Sequence, residues 1–307
     1  KGNKYQLTEF HKKLSTLKFL DPACGCGNFL VITYRELRLL ELEILRELYK
    51  GQQVISIESI IWLNVDQFYG IEYEEFPARI AEVAMWLIDH QINMMISNEF
   101  GKYFVRLPLT KAAKIVHGNA LRIDWETLVP KSELSYILGN PPFIGTAYQS
   151  KLQKEDLEYV FSGLKSFGML DYVAAWYAKS AKYIQDTKIK VAFVSTNSIV
   201  QGEQVGILWG YLFSQFNLRI HFAHRTFKWT NEAKGKAAVH VVIIGFACFD
   251  VTKKIIFEYN EISGDPHEII AKNINQYLID AKDIIISPKT NPICNVPKIG
   301  VGSALLD

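Results

Sequence analysis

Short apolar runs alternate with longer stretches in which apolar residues recur every three or four positions. That alternation predicts a mostly parallel sheet covered by helices. Lys18–Asp21 reads as a first buried strand, followed by a helix from Asn28 to Tyr49 that carries Leu30, Tyr34, Leu37, Leu40, Ile44 and Leu48 on one face. Gln67–Ile71 is a second strand. Pro77, a good first-turn residue, opens a helix with Ile80, Val83, Ala84, Leu87 and Ile88 facing inward. Ile115–Gly118 and Ser135–Leu138 predict strands three and four. A helix over Leu170–Gln185 leads to a fifth strand at Lys190–Ser195; a helix over Val205–Phe216 and strands at Leu218–Ala223 and Val239–Phe246 follow. A charged, aromatic loop with no helix joins those last two strands, which predicts antiparallel pairing. Ile255–Tyr259 adds an edge strand. Pro288, Pro292, Pro297, Gly300 and Gly302 mark 287–307 as a linker, leaving 1–286 as one domain.

Composition narrows the class. A chain of 307 residues, 49% hydrophobic and 21% charged, can bury a large core and is not disordered. It has no apolar run of membrane-spanning length and no leading signal segment, so a cytoplasmic, prokaryotic setting without membrane contact is expected. Four scattered cysteines (Cys24, Cys26, Cys248, Cys294) do not build a disulfide framework and fit a reducing compartment. The chain opens at Lys1 without a methionine, as a piece of a longer protein would. A net charge of +2 announces no nucleic-acid partner, but its distribution is uneven. Between Arg219 and Lys236 five basic residues (Arg219, Arg225, Lys228, Lys234, Lys236) face the single acid Glu232.

Two corners carry the candidate chemistry. The first, Asp21-Pro22-Ala23-Cys24-Gly25-Cys26-Gly27-Asn28, is a tight turn between strand one and its helix, where glycines let backbone approach a ligand. Alone, it fits an ordinary strand-to-helix turn equally well. A dinucleotide site is disfavoured, because Leu30 stands where the third glycine belongs and Glu72, the acid ending strand two, lies 45 positions beyond Gly27 rather than about 20. Zinc is disfavoured too, since Cys24 and Cys26 lack a second cysteine pair; no metal is expected. The second corner is Asn140-Pro141-Pro142-Phe143, closing strand four.

The segment Asp-Pro-Ala-Cys-Gly-Cys-Gly-Asn-Phe-Leu resembles the first motif of gamma-class amino-group DNA methyltransferases, and Asn140-Pro-Pro-Phe143 matches their catalytic tetrapeptide unchanged. Leu170-Asp-Tyr-Val173 with Trp176, Ser195-Thr-Asn-Ser198, Val239–Phe246 and Gly300–Ser303 extend the likeness to the methyltransferase part of MmeI-like fused restriction–modification enzymes, over roughly Lys18 to Asp307. That resemblance implies a class I S-adenosylmethionine-dependent fold: a Rossmann-like, mostly parallel seven-stranded sheet with an antiparallel last strand and helices on both faces. It implies S-adenosyl-L-methionine as cofactor, held by Asp21, Ala23, Gly25 and Gly27, with Glu72 on the ribose hydroxyls. Asn119 and Ala120, after strand three, would meet the cofactor's adenine; the family usually has aspartate at 119, and the asparagine keeps a carbonyl acceptor.

The implied reaction is methylation of adenine N6 in double-stranded DNA, within a restriction–modification or related phage-defence system. An adenine amine is a poor nucleophile because its lone pair is delocalised into the ring. Acceptors on Asn140 and Pro141 would draw that pair out, with Phe143 stacked on a base flipped from the duplex. In the segment His224–Asn231, Phe227 or Trp229 would close the other face of the base, and Arg225, Lys228, Lys234 and Lys236 would meet the DNA backbone. A solvated loop over packed aromatics is the plainer reading of that segment. A parent polypeptide with a target-recognition domain, and a nuclease domain in some members, is expected. Two alternatives remain open at this level: transfer to protein glutamine or RNA, whose enzymes share an Asn-Pro-Pro-aromatic motif, and a non-catalytic DNA-binding subunit of the same fold.

Overall fold

A computed structural model describes residues 4–50, 56–101, 112–229, 239–261 and 264–285. The chain runs α1 (Lys4–Thr16), β1 (Phe19–Asp21), α2 (Asn28–Leu48), β2 (Phe68–Glu72), α3 (Glu75–Phe100), β3 (Lys114–His117), α4 (Trp125–Leu128) and β4 (Tyr136–Gly139). It continues through α5 (Lys151–Val160), α6 (Ala174–Tyr183), β5 (Lys190–Thr196), α7 (Glu203–Phe216), β6 (Arg219–Trp229), β7 (Val239–Ala247), β8 (Lys254–Tyr259) and β9 (Pro266–Ala271).

Among the described residues nine strands form one sheet, ordered β3-β2-β1-β4-β5-β7-β6-β8-β9. Strands β1 to β5 pair parallel, while β7 lies antiparallel between β5 and β6. Alternate side chains of β1 and β2 go to opposite faces, as strand geometry dictates. Phe19 and Phe68 pack with Leu30, Tyr34, Ala81 and Met85 of α2 and α3, whereas Leu20 and Tyr69 join the larger core of α6 and α7. The order places β2 on one side of β1 and β4 on the other, so the chain changes direction between β1 and β4. Open sheets of this kind hold ligands beyond the carboxyl ends of the strands at such a switch.

Several expectations need correction. The sheet has nine strands rather than seven, because β8 and β9 extend it. β8 is not an edge: it pairs parallel with β6 and is covered by antiparallel β9. The segment 224–229 is strand rather than loop, since β6 continues through it beside β7 with an irregularity between His224 and Phe227. The inner face of α3 is also rotated from the apolar stripe. Ala78, Ala81, Met85, Asp89, Ile92, Asn93 and Ile96 are buried, while Val83 and Leu87 are exposed, as is Leu40 of α2.

The cause of that rotation is a buried ionic cluster. Arg38, fully buried, lies 3.0 Å from Glu41 and 2.9 Å from Asp89, and donates to Asn93 at 2.8 Å. Glu41 also takes a 2.7 Å bond from His11 of α1 and backbone N–H groups of Trp62 and Leu63. Two polar residues of α3 therefore face inward because a buried guanidinium must be paired. The helix expected from Leu170 begins at Ala174, and α1, α5 and β9 were not anticipated. The linker 287–307 lies outside the described residues.

Candidate active site

The turn after β1 is shaped by its neighbours. Gly27 has a φ of 86°, and a Cβ there would sit 3.1 Å from Cβ of Ala81 on α3, so both conformation and space call for glycine. Gly25 donates its N–H to Oε2 of Glu72 at 2.8 Å, while the N–H of Glu74 binds Oε1 at 2.9 Å. The acid ending β2 is thereby fixed against the turn ending β1. Ala23 donates its N–H to Oδ1 of Asp21 at 3.0 Å.

Asp21 is buried, and its Oδ2 has no hydrogen-bond partner among the described residues. Burial pushes its pKa up to about 7; the Ala23 N–H opposes this, and the Glu72 charge adds to it. Its carboxylate lies where a Cβ on Gly139 would fall, 2.5 Å from Oδ1, so only glycine at the end of β4 leaves room for it. The two corners are thus in contact through Asp21 and Gly139.

Beyond them opens a cavity of about 970 Å³. Ala23, Glu72, Asn119, Ala120, Asn140 and Pro142 line it, which brings together residues from the ends of four neighbouring strands. Oδ1 of Asn140 is buried without a hydrogen-bond partner among the described residues. Pro141 is buried, and Phe143 is half-buried against the main core. Among the described residues, three carboxylates (Glu72, Glu155, Asp156) and one guanidinium (Arg122) line the cavity, a balance suited to a cationic ligand.

Residues not anticipated complete the walls. Tyr73 and Arg122 lie beside the predicted positions, and Trp176 donates its indole N–H to the Pro22 carbonyl at 3.0 Å. Helix α5 contributes Leu152, Gln153, Glu155 and Asp156. Its sequence signal is a capping box, in which Ser150 accepts the Gln153 N–H and Gln153 returns a bond to the Ser150 N–H.

Asn119 is held tightly. Its Oδ1 accepts the Leu121 N–H at 2.9 Å and its Nδ2 donates to Oδ2 of Asp156 at 2.8 Å.

At the far side of the same sheet edge, Phe227 pairs in register with Val241, which in turn faces Thr196 at the end of β5. The Phe227 ring stacks on Tyr259 at 5.1 Å, and His224 stacks on Phe257 at 4.1 Å. Arg225 forms an ion pair with Glu258, and Lys228 is exposed. Phe143, Phe227, Asp21, Gly25 and Gly27 do not contribute to the lining of the cavity itself. Trp229 ends β6 and its side chain lies outside the described structure, as do Lys234 and Lys236.

The chain is similar to known DNA methyltransferases and restriction-modification enzymes. The family described as MmeI, DNA-methyltransferase domain, matches residues 1–258. DNA methyltransferase A of Bacillus subtilis (strain 168) is 42% identical over 297 residues, which are 95% of this chain and 32% of that protein. The structure of the Type IIL restriction-modification enzyme MmeI in complex with DNA aligns with a TM-score of 0.93 at 59% identity, over 96% of this chain and 40% of that one. A nuclease-deletion mutant of the Type ISP restriction-modification enzyme LlaGI aligns with a TM-score of 0.50 at 15% identity over 80% of this chain and 21% of that one, a likeness of fold alone. The chain spans about a third of the Bacillus protein and two fifths of MmeI. Its fold matches that of the corresponding part of MmeI, and the chain belongs to the MmeI DNA-methyltransferase domain family.

Proposed function

We propose that this chain transfers the methyl group of S-adenosylmethionine to the N6 amino group of adenine in double-stranded DNA. In this reading the target base is flipped from the duplex, and the chain acts within a larger restriction–modification protein that carries a target-recognition domain. The observation that carries the proposal is the buried Oδ1 of Asn140, unpaired among the described residues, in one cavity with Glu72 and the wall of the glycine turn. A buried acceptor without a donor is costly, and a ligand amine that supplies the donor removes the cost.

The residues present fit the cofactor. Glu72, with each oxygen holding one backbone N–H, keeps further lone pairs for the two hydroxyls of a ribose. Ala23 with Gly25 and Gly27 forms the turn for the amino-acid moiety, and the buried Asp21 beneath it favours the ammonium. Asn119 and Ala120 lie at the adenine end. When bound, the cofactor supplies a methyl group activated by a sulfonium.

The chain's own part is to prepare the acceptor. Asn140 Oδ1 and the Pro141 carbonyl accept the two hydrogens of the adenine amine and draw its lone pair out of ring conjugation. The nitrogen gains the methyl group and then releases one proton to solvent, so no base with a shifted pKa is required beforehand. Phe143 stacks on one face of the base, and Phe227 or Trp229 closes the other. Arg225, Lys228, Lys234 and Lys236 supply phosphate contacts. The ion pair of Arg225 with Glu258 gives Arg225 a weaker claim to that role than exposed Lys228.

The test offers labelled S-adenosylmethionine with plasmid DNA, RNA or glutamine-containing peptide, followed by mass spectrometry of the product. N6-methyladenine from DNA is expected. N4-methylcytosine would keep the cofactor assignment and overturn the base, and label in RNA or peptide alone would overturn DNA as substrate.

A further inference from the structure

We infer that Asp156, on helix α5, is the residue that reads the 6-amino group of the cofactor's adenine. The inference rests on the proposed use of S-adenosylmethionine and assigns a specificity-determining residue within that site.

The argument is one of hydrogen-bond accounting. Asn119 sits after β3, where the proposed reading puts the adenine, but each end of its amide already makes one bond. Its carbonyl oxygen is turned back onto the N–H of Leu121, two residues along its own chain, and its NH₂ faces Asp156. One of the two lone pairs on that carbonyl is therefore committed to shaping the turn, and the carboxylate to which Asn119 passes its NH₂ is the stronger acceptor beside it. Asp156 collects the polar groups of that wall. It accepts from Asn119 Nδ2 at 2.8 Å, from Arg122 Nε at 2.6 Å and from the Tyr172 hydroxyl at 2.8 Å.

Among the described residues, Asp156 is the one buried carboxylate that also lines the cavity; Glu155 beside it is exposed, and Glu72 is engaged with the glycine turn. A carboxylate offers about four lone-pair positions. Three are filled by protein donors from two other segments, the turn after β3 and the approach to α6, and one remains. A purine amine donates a hydrogen to that position, whereas a 6-oxo group would set a second acceptor against a buried carboxylate, an arrangement that sites built for a donor reject strongly. The three fixed donors hold the carboxylate in place.

The test measures binding of S-adenosylhomocysteine and its 6-oxo counterpart, S-inosylhomocysteine, to the full 307-residue chain by titration calorimetry. The wild type is expected to favour the 6-amino ligand by about ten- to a hundredfold. Asp156→Asn, which can turn an NH₂ toward a 6-oxo group, is expected to bring the two affinities within about threefold of each other. Tyr172→Phe, which removes one donor to Asp156, weakens both ligands alike and leaves the ratio standing. If Asp156→Asn does not fold, Asp156→Ala serves, and an undiminished preference for the 6-amino ligand in that variant overturns the assignment. So does an unchanged ratio in folded Asp156→Asn, or a wild type that does not discriminate. A wild type that binds neither ligand sinks the cofactor reading and this inference with it. Discrimination that survives substitution of Asp156 sinks the inference alone.

Discussion

Cofactor binding should depend on pH through Asp21. Its carboxyl is buried, held up to about 7 by desolvation, and lacks a partner for Oδ2 among the described residues. Against an ordinary value of 3.8, that is about three units, or roughly 4 kcal/mol opposing ionisation in the free protein. Because the folded-state pKa is raised, the protonated form is favoured in the fold. This contribution to stability is fully present below pH 3.8 and is lost as pH rises through about 7.

The ammonium of a ligand seated on the turn reverses the balance. A unit positive charge about 6 Å away at an effective dielectric constant near 20 contributes roughly 3 kcal/mol, which lowers the carboxyl pKa by about two units. Binding below pH 7 then expels a proton, and affinity for S-adenosylhomocysteine falls about twentyfold between pH 7.5 and 5.5. Calorimetry at pH 6 in buffers of different ionisation enthalpy should report release of about 0.8 proton per ligand bound. Asp21→Asn keeps the acceptor for the Ala23 N–H, so it should flatten the pH profile while raising the melting temperature of the free protein at pH 8. Wild-type affinity that is level over this pH range, or zero proton release, would refute the reasoning.

Other expectations follow from particular contacts. Glu72→Ala should weaken S-adenosylhomocysteine by about ten- to a hundredfold with the melting temperature little changed, because the residue lies at the site and not in the core; unaltered affinity would remove the ribose assignment. Arg38→Ala leaves Glu41 and Asp89 facing an uncompensated buried site, so urea denaturation should show a loss of about 3–5 kcal/mol. A loss below about 1 kcal/mol would mean the cluster does not pin α2 to α3. Phe227→Ala should weaken DNA binding by about tenfold, the order of one base–aromatic stack, in a gel-shift titration; no change would turn attention to Trp229.

The two corners were legible in the sequence because local rules fix them. Glycine is required at Gly27 by a left-handed turn and a close helix, and the prolines after Asn140 allow few conformations. The positions of β1 to β8 followed once apolar runs were separated from helical periods. The rest depends on partners distant in sequence. Asp156 reads as an unremarkable acid on a surface helix until Asn119, Arg122 and Tyr172 arrive from other segments. The buried face of α3 was misread because Asp89 and Asn93 look like solvent residues until Arg38 is placed beside them. The extension of β6 through His224 to Trp229 was hidden likewise: its basic and aromatic residues resemble a loop, and only Phe257, Glu258 and Tyr259 of β8 give them a surface to pair with.

The account stands on the Asn140 corner and the glycine turn acting on a single reaction. The most direct measurement pairs calorimetry with transfer of labelled methyl to DNA for Asn140→Ala. The account predicts cofactor affinity within a few-fold of wild type and methyl transfer reduced to background. Turnover comparable to wild type in that variant would contradict it.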